Sequence, residues 1–473
     1  MNTSNAGNIV IISDLHMSAG PLDDCDDELE KRICDFLTHI ASGGHTTELV
    51  INGDFLDFVQ AEPWEGADLR AVTDSGVRLS FTEEQSLIKL DAIHQSHQPA
   101  FRALSHFLAQ DRDNRLTILP GNHDADFFWP RVRSSFIDRV CKGNPEHRNR
   151  IQFHLDQVFN PRSCPNVWIE HGHQYDPCNS FFVGNEPFWS EARPPILKDK
   201  LGVERLIECV GTGFLVQFIN RLDKDYPYVD NVKPFSRFLE IFGASAFKSG
   251  YATMRASVTV WGILRFLGSM LTRQPRDLLG IDDHDDEGLQ AVLNKWIRSL
   301  SPDERTRLSK ALRERAFDLQ TSLEFFLSDQ KNAEALLDFL SENPDLTGFG
   351  PNLTSSDLSV SGSGDDLTLV RGFAINETNE LIAAARKAIR QGAKTVVMGH
   401  THETVNISKG VNYINTGCWT RYYLFEKEER LRDWHLLKAP ASYSRFPYQL
   451  NYVEIQKGNP ESARLITFRE RSK

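Results

Sequence analysis

Five times along this chain a short apolar run stops at a polar turn that carries aspartate, asparagine or histidine. That recurrence constrains the fold more than any other feature. The turns are "SDLH" (13–16), "GDFLD" (53–57), "GNHD" (121–124), "EHGH" (170–173) and "GHTH" (399–402). The runs that lead into them, "NIVIIS" (8–13), "ELVING" (48–53), "LTILPGN" (116–122), "NVWIEHG" (166–172) and "AKTVVMG" (393–399), read as buried strands. Helical patterns alternate with them. "DDELEKRICDFLTHIAS" (26–42) places Leu29, Ile33, Phe36, Leu37 and Ile40 on one face. Residues 82–110 predict a helix capped by Thr82 and bent near Pro99, and 376–392 a helix ended by Gly392. Further strands are expected near Ile151–Leu155 and at 403–408, 411–415, 450–455 and 463–468.

The chain has 473 residues, long for a single core. It reads as an α/β catalytic domain in two pieces, 1–177 and 366–473, around a mainly helical insertion or cap, 178–365. Within the insertion, "RLIECVGTGFLVQFINRL" (205–222) is apolar and helical in pattern, and "SPDE" (301–304) has the form of a capping box. A Gly/Ser/Pro-rich linker, 348–366, closes it. Its Phe, Leu and Trp residues suit either a core of its own or a groove for an apolar group such as an acyl chain. The acidic run "DDHDDE" (282–287) reads as a solvated loop or a cation site.

Net charge is −12, which argues against a general duplex-binding protein, because phosphate binding needs clustered Lys and Arg. Seven scattered cysteines without a C-x-x-C pair argue against a disulfide framework and for a reducing, cytoplasmic setting. No signal peptide is apparent before Asp14, and the best membrane candidate, "SVTVWGILRFLGSML" (257–271), is short and contains Arg265.

A lone strand-end aspartate is more often a turn residue than a ligand, and a lone histidine is more often structural. Their combination changes the reading. Six of the fifteen histidines fall in these five turns. In an α/β sheet, loops at the carboxyl ends of strands converge on one crevice. Asp14 and His16, two apart, would share one side of an extended segment. Imidazole and carboxylate without thiolate suit divalent Mn, Fe or Zn. Two ions about 3.5–4 Å apart would need a bridging carboxylate.

The order D-x-H, GD-x-x-D, GNHD, HG-x and GH-x-H resembles the calcineurin-like metallophosphoesterases, across roughly residues 8–177 and 366–430. The stretch "YINTGCW" (413–419) resembles the strand and turn that follow that family's last histidines. The resemblance implies a β-sandwich flanked by helices and two divalent ions, Mn2+ first among them with Fe or Zn as options. It implies that Asp14, His16 and His402 hold one ion, that Asn122, His171 and His400 hold the other, and that Asp54 bridges. A water activated between the ions would attack phosphorus. His123 would stabilise the transition state or protonate the leaving oxygen, Asp124 would orient its ring, and Asp57 would act behind the ligands. His173 is open between a support for the ligands, a substrate contact and a packed residue. Arg421, Tyr422, Trp129 and Arg131 are open between substrate contacts and ordinary surface or core residues.

The layout is distantly similar to UDP-2,3-diacylglucosamine hydrolases, although those typically carry Arg at the His123 position and are much shorter. The expected activity is hydrolysis of a phosphodiester or pyrophosphate bond in a small or lipid-like substrate. A nuclease or a phosphomonoesterase of the same chemistry is the alternative, and a non-catalytic scaffold comes last. No stable duplex nucleic-acid partner is expected. The insertion is a candidate for contact with a membrane surface or lipid. Oligomeric state is not legible.

Overall fold

The computed structural model describes residues 7–62, 71–176, 179–184, 186–216, 220, 231–233, scattered positions between 302 and 310, 377–408, 411–424 and 443–469. In chain order the strands are β1 (Asn8–Ile12), β2 (Thr47–Asn52), β3 (Arg115–Leu119), β4 (Ile151–Phe153), β5 (Val167–Ile169), β6 (Phe182–Val183), β7 (Glu186–Pro187), β8 (Ile196–Lys198), β9 (Glu204–Leu206), β10 (Val232–Lys233), β11 (Thr395–Met398), β12 (Thr404–Ile407), β13 (Tyr413–Thr416), β14 (Tyr423–Leu424), β15 (Asn451–Gln456) and β16 (Arg464–Thr467). The α-helices are α1 (Asp27–Ala41), α2 (Glu83–Ser96), α3 (Gln98–Gln110), α4 (Pro130–Val140), α5 (Val210–Phe214) and α6 (Glu377–Arg390).

The architecture is mixed α/β with two principal sheets. A six-stranded sheet has the order β16-β15-β1-β2-β3-β4, and a four-stranded sheet the order β12-β13-β11-β5. In the first, β1 to β4 are parallel while β15 and β16 are antiparallel additions. In the second, β11 lies parallel between β5 and β13. Successive strand residues point to opposite faces, and here both faces are covered. Ile9 and Ile11 of β1 share a core with Val167, Ile169, Val397 and Ile414 of the other sheet, so the two sheets face each other. Val10 and Ile12 turn the other way, onto Leu29, Ile33, Phe36 and Leu104 of α1 and α3. On the outer face of the four-stranded sheet, Leu381, Ala385 and Ala388 of α6 pack against Val396, Met398 and Tyr413.

Local chemistry sets the helix limits. The Asp26 side chain accepts from the Leu29 amide at the start of α1, and Thr82 and Gln85 form a reciprocal capping box on α2. The single bent helix expected over 82–110 is two helices, broken at His97. Pro99 lacks an amide hydrogen and disfavours helical backbone just before it, so it sits in the first turn of a new helix. Gly392 ends α6 with φ 112°.

The expected insertion, 178–365, lies for the most part outside the described residues, as do 257–271, 282–287 and the linker 348–366. Its described beginning is not helical. β6 pairs antiparallel with β7 and β8 with β9, and the helical pattern over 205–222 starts inside β9 before α5. No disulfide joins the described cysteines. Among the described residues no helix is long and apolar enough to cross a membrane.

His97 ties the helix break to the segment before α1. Its buried ring reaches Asp23 through Nε2 at 2.8 Å and Glu30 through Nδ1 at 3.4 Å. Burial would lower its pKa, but the bonds and charges of Asp23 and Glu30 push it up to about 9. A raised histidine stabilises the fold fully below its unfolded pKa of about 6.5, and loses that contribution as pH rises through the folded value. Stability should therefore drop by up to about 3 kcal/mol between pH 6.5 and 10. Denaturant unfolding should show this loss in the natural chain and a flatter profile in His97→Gln. Parallel profiles would contradict it.

Candidate metal centre

The five polar turns converge because of strand order. β1, β2 and β3 are neighbours in one sheet and release 13–16, 53–57 and 121–124 at the same edge. β5 and β11 are neighbours in the other and release 170–173 and 399–402. Backbone hydrogen bonds continue past the strand ends: Asp14 N–H to Gly53 O, His16 N–H to Asp54 O, and Gly399 N–H to His171 O, at 2.9–3.1 Å. The sheets are joined at the site as well, since the His400 amide donates to the Asp14 carboxylate at 3.1 Å. The cluster therefore lies between two sheets rather than along one.

Five non-glycine residues among those described have positive φ: Asp14 (55°), His16 (46°), Asp54 (49°), His400 (70°) and His402 (58°). All five are residues expected to bind metal. Left-handed backbone costs an L-residue roughly 1–2 kcal/mol. It also corrects one expectation, because Asp14 and His16 reach the same cluster through two left-handed residues and not along an extended segment. The turns are crowded. A Cβ on Gly53 would come 2.1 Å from His171 Nδ1, and one on Gly121 would come 2.2 Å from Asp54 Oδ1.

Three overlapping groups of side chains present ligand atoms within 4.8 Å of one another: Asp14 with His16 and His402, His16 with Asp54 and His123, and Asp54 with His171 and His400. His400 and His402 fall in different groups, and Asp54 belongs to two. His16 Nε2 faces His402 Nε2 at 2.9 Å, and His171 Nε2 lies 3.1 Å from Asp54 Oδ2. His171 Nδ1 is held by the Asn52 carbonyl at 2.8 Å, which leaves Nε2 directed at the centre. That buried Nε2 makes no hydrogen bond, and neither does buried Asn122 Oδ1. A divalent ion satisfies such atoms, and imidazole, carboxylate and amide oxygen are suitable donors for one. The residues fit a metal ion.

The electrostatics agree. Burial alone would raise the Asp14 carboxyl, yet the His402 hydrogen bond and the charges of His171 and His402 hold it below the ordinary value. Burial likewise opposes ionisation of Asp54, but His171 and His123 hold it well below. Asp14 and Asp54 are thus anions in a site almost closed to solvent.

The carboxylate on the His123 ring belongs to Asp57 and not to Asp124. Asp57 Oδ2 lies 2.6 Å from His123 Nδ1 and 3.2 Å from His16 Nδ1, so one oxygen aligns both rings. Burial would lower the His123 pKa, but the charges of Asp57 and Asp54 and the Asp57 bond raise it to about 10. Asp124, next in sequence, points away and accepts from the amides of Phe55, Asp54, Leu56 and Gly121, stapling the second turn to the third. Burial and the Asp54 charge push its carboxyl up to about 8 against those amide bonds.

The remaining candidates divide. His173 is buried against Trp189 (ring centroids 4.2 Å apart) with neither ring nitrogen hydrogen-bonded, and burial beside His171 and His400 holds its pKa well below the usual value. It is a packed, neutral wall of the site. Arg421 is buried and bonded to Asp26 and Glu28, which anchors the 421–424 segment to the start of α1. Trp129 is a core residue, Arg131 pairs with Glu83 and Glu84, and the Tyr422 amide bonds to the Pro447 carbonyl. Sequence reasoning missed Asp176, whose Oδ2 lies 3.1 Å from His400 Nε2. Its signal was in "EHGHQYD" (170–176), three residues beyond the point where the turn was taken to end.

In comparisons with known proteins, no family model matches the chain, and neither a curated protein nor a solved structure shows a significant match.

Left-handed strain has a measurable consequence at His402, whose side chain is 30% exposed. At an ordinary position glycine is less stable than alanine by about 0.5–1 kcal/mol. Here the order should reverse. Metal-free His402→Gly should melt above metal-free His402→Ala, by roughly 1 kcal/mol of stability. The usual order in thermal unfolding would show that the turn is not strained.

Proposed function

We propose that this chain is a hydrolase of phosphoric esters that works with divalent metal ions held by Asp14, His16, Asp54, Asn122, His171, His400 and His402. The observation that carries the reading is the coincidence of strain and chemistry, in that every described non-glycine left-handed residue is a candidate ligand. Strain of this kind persists only where the surroundings over-determine it, and it clusters at functional sites. The order of the five turns, which resembles the calcineurin-like metallophosphoesterases, supports phosphoryl chemistry in particular. Two facing sheets with helices outside them agree with the layering that the resemblance implies.

Divalent ions bound here would polarise phosphoryl oxygens and make water nucleophilic near neutral pH. The chain's own groups do the rest. Asp54 belongs to two of the ligand groups, which supports it as the carboxylate that would be shared if two ions were bound. Asp57 holds His123 by Nδ1, so the protonated Nε2 is the atom free to stabilise charge on phosphorus or protonate the leaving oxygen. The buried ring of His173 packs on Trp189 beside His171 and His400. Mn2+ is the first candidate ion, with Fe and Zn next. A net charge of −12 favours a small-molecule diester or pyrophosphate over a nucleic acid.

Metal-reconstituted protein should hydrolyse bis-p-nitrophenyl phosphate. Asp54→Ala should lose both activity and bound metal. His123→Ala should keep its metal and lose about 10²–10⁴-fold in kcat. Full activity in His123→Ala would overturn the proton-donor role. Activity confined to single-stranded DNA, in a wider substrate screen, would replace the small-molecule reading with a nuclease.

A further inference from the structure

We propose that Asp176 is a positioning residue for one of the two metal ions, orienting His400 directly and Asn122 through Asn179. The inference rests on the metal-centre reading above and extends it to residues outside the five turns. Asp176 and His400 are both buried, and the Asp176 carboxylate lies 3.1 Å from His400 Nε2. A neutral imidazole has one N–H and one lone pair. With the hydrogen on Nε2 and given to Asp176, the lone pair is fixed on Nδ1. A metal-binding histidine commonly gives its other N–H to a carboxylate, and this sets both tautomer and ring angle.

The same carboxylate reaches a second candidate ligand. Asn179 Nδ2 donates to Asp176 Oδ2, and Asn179 Oδ1 accepts from Asn122 Nδ2 at 3.4 Å. The Asn122 amide nitrogen is thereby engaged, and the buried oxygen without a partner is the atom left to coordinate. Asp176 is itself held, since its carbonyl accepts from the Asn179 and Ser180 amides at 3.0 and 2.9 Å, and its amide donates to the His173 carbonyl at 3.1 Å. His400 shares its ligand group with Asp54 and His171 and not with Asp14 and His402. The effect should therefore fall on one ion. Asp176 also sits where the chain leaves the five turns, and Asn179 lies just beyond it.

The test is a Mn2+ titration of the full chain by calorimetry, with metal content after dialysis as a second readout. The natural chain should bind two ions. Asp176→Ala should weaken one of them about 10–100-fold and leave the other unchanged. Asp176→Asn keeps an acceptor oxygen and should recover most of the loss, which a general folding defect would not permit. Asn179→Ala should weaken the same ion by a smaller factor, and it carries the test if Asp176→Ala does not fold. Two ions bound with natural affinity in both Asp176→Ala and Asn179→Ala would overturn the inference. So would equal weakening of both ions. A natural chain that binds no Mn2+, Fe2+ or Zn2+ would instead overturn the metal centre itself.

Discussion

Left-handed backbone at five ligand-type residues is the constraint around which the site is built. Asp14, His16, Asp54, His400 and His402 together carry strain on the order of 5–10 kcal/mol, comparable with the net stability of a whole domain. Such a set survives only because each turn is held from several sides. The carboxylate of Asp14 accepts from the His400 amide, and its carbonyl accepts from the Trp419 amide at 2.9 Å. Asp54 has its carbonyl on the Leu15 and His16 amides and its Oδ1 on the His123 amide. Those bonds in turn depend on the apolar core between the two sheets, which fixes where β1, β2, β3, β5 and β11 end. Burial opposes the charges of Asp14 and Asp54, and in this structure the neighbouring histidines His171, His402 and His123 outweigh it.

Much of this was legible in the sequence, for physical reasons. Runs such as Ile9–Ile12 and Val396–Met398 are β-branched or apolar throughout and are buried on both faces, so composition identifies them as strands. The helix at Asp27–Ala41 has an apolar stripe and an aspartate cap. Other features were not legible. A bend near Pro99 was expected, but a full break at His97, sealed by ion pairs from Asp23 and Glu30, remote in sequence, was not. The strand pairs β6–β7 and β8–β9 have strands of two or three residues, too short for any periodicity to register.

Within the site, residue types pointed to the candidate ligands but not to the groups that support them. Strand-end Asp, Asn and His residues stand out by their turn context. Asp57 and Asp124 lie in the same turns, and only the path of the backbone decides which of them faces His123. Neighbouring side chains diverge, so Asp124 is carried under the second turn while Asp57 reaches across to two rings. Arg421 was open in the sequence between a substrate contact and an ordinary residue, and the structure settles its partners. Its guanidinium is committed to Asp26 and Glu28 and to the carbonyls of Ser444 and Phe446. At the centre the charges of Asp57 and Asp54 favour the protonated form of His123, against the cost of its burial.

The most direct test of the central claim is anomalous diffraction from crystals of the full chain grown with Mn2+. The account predicts two anomalous peaks, one contacting Asp14, His16 and His402, the other Asn122, His171 and His400, with Asp54 between them. Peaks elsewhere, a single ion held by both His400 and His402, or no peak at saturating Mn2+ would contradict it.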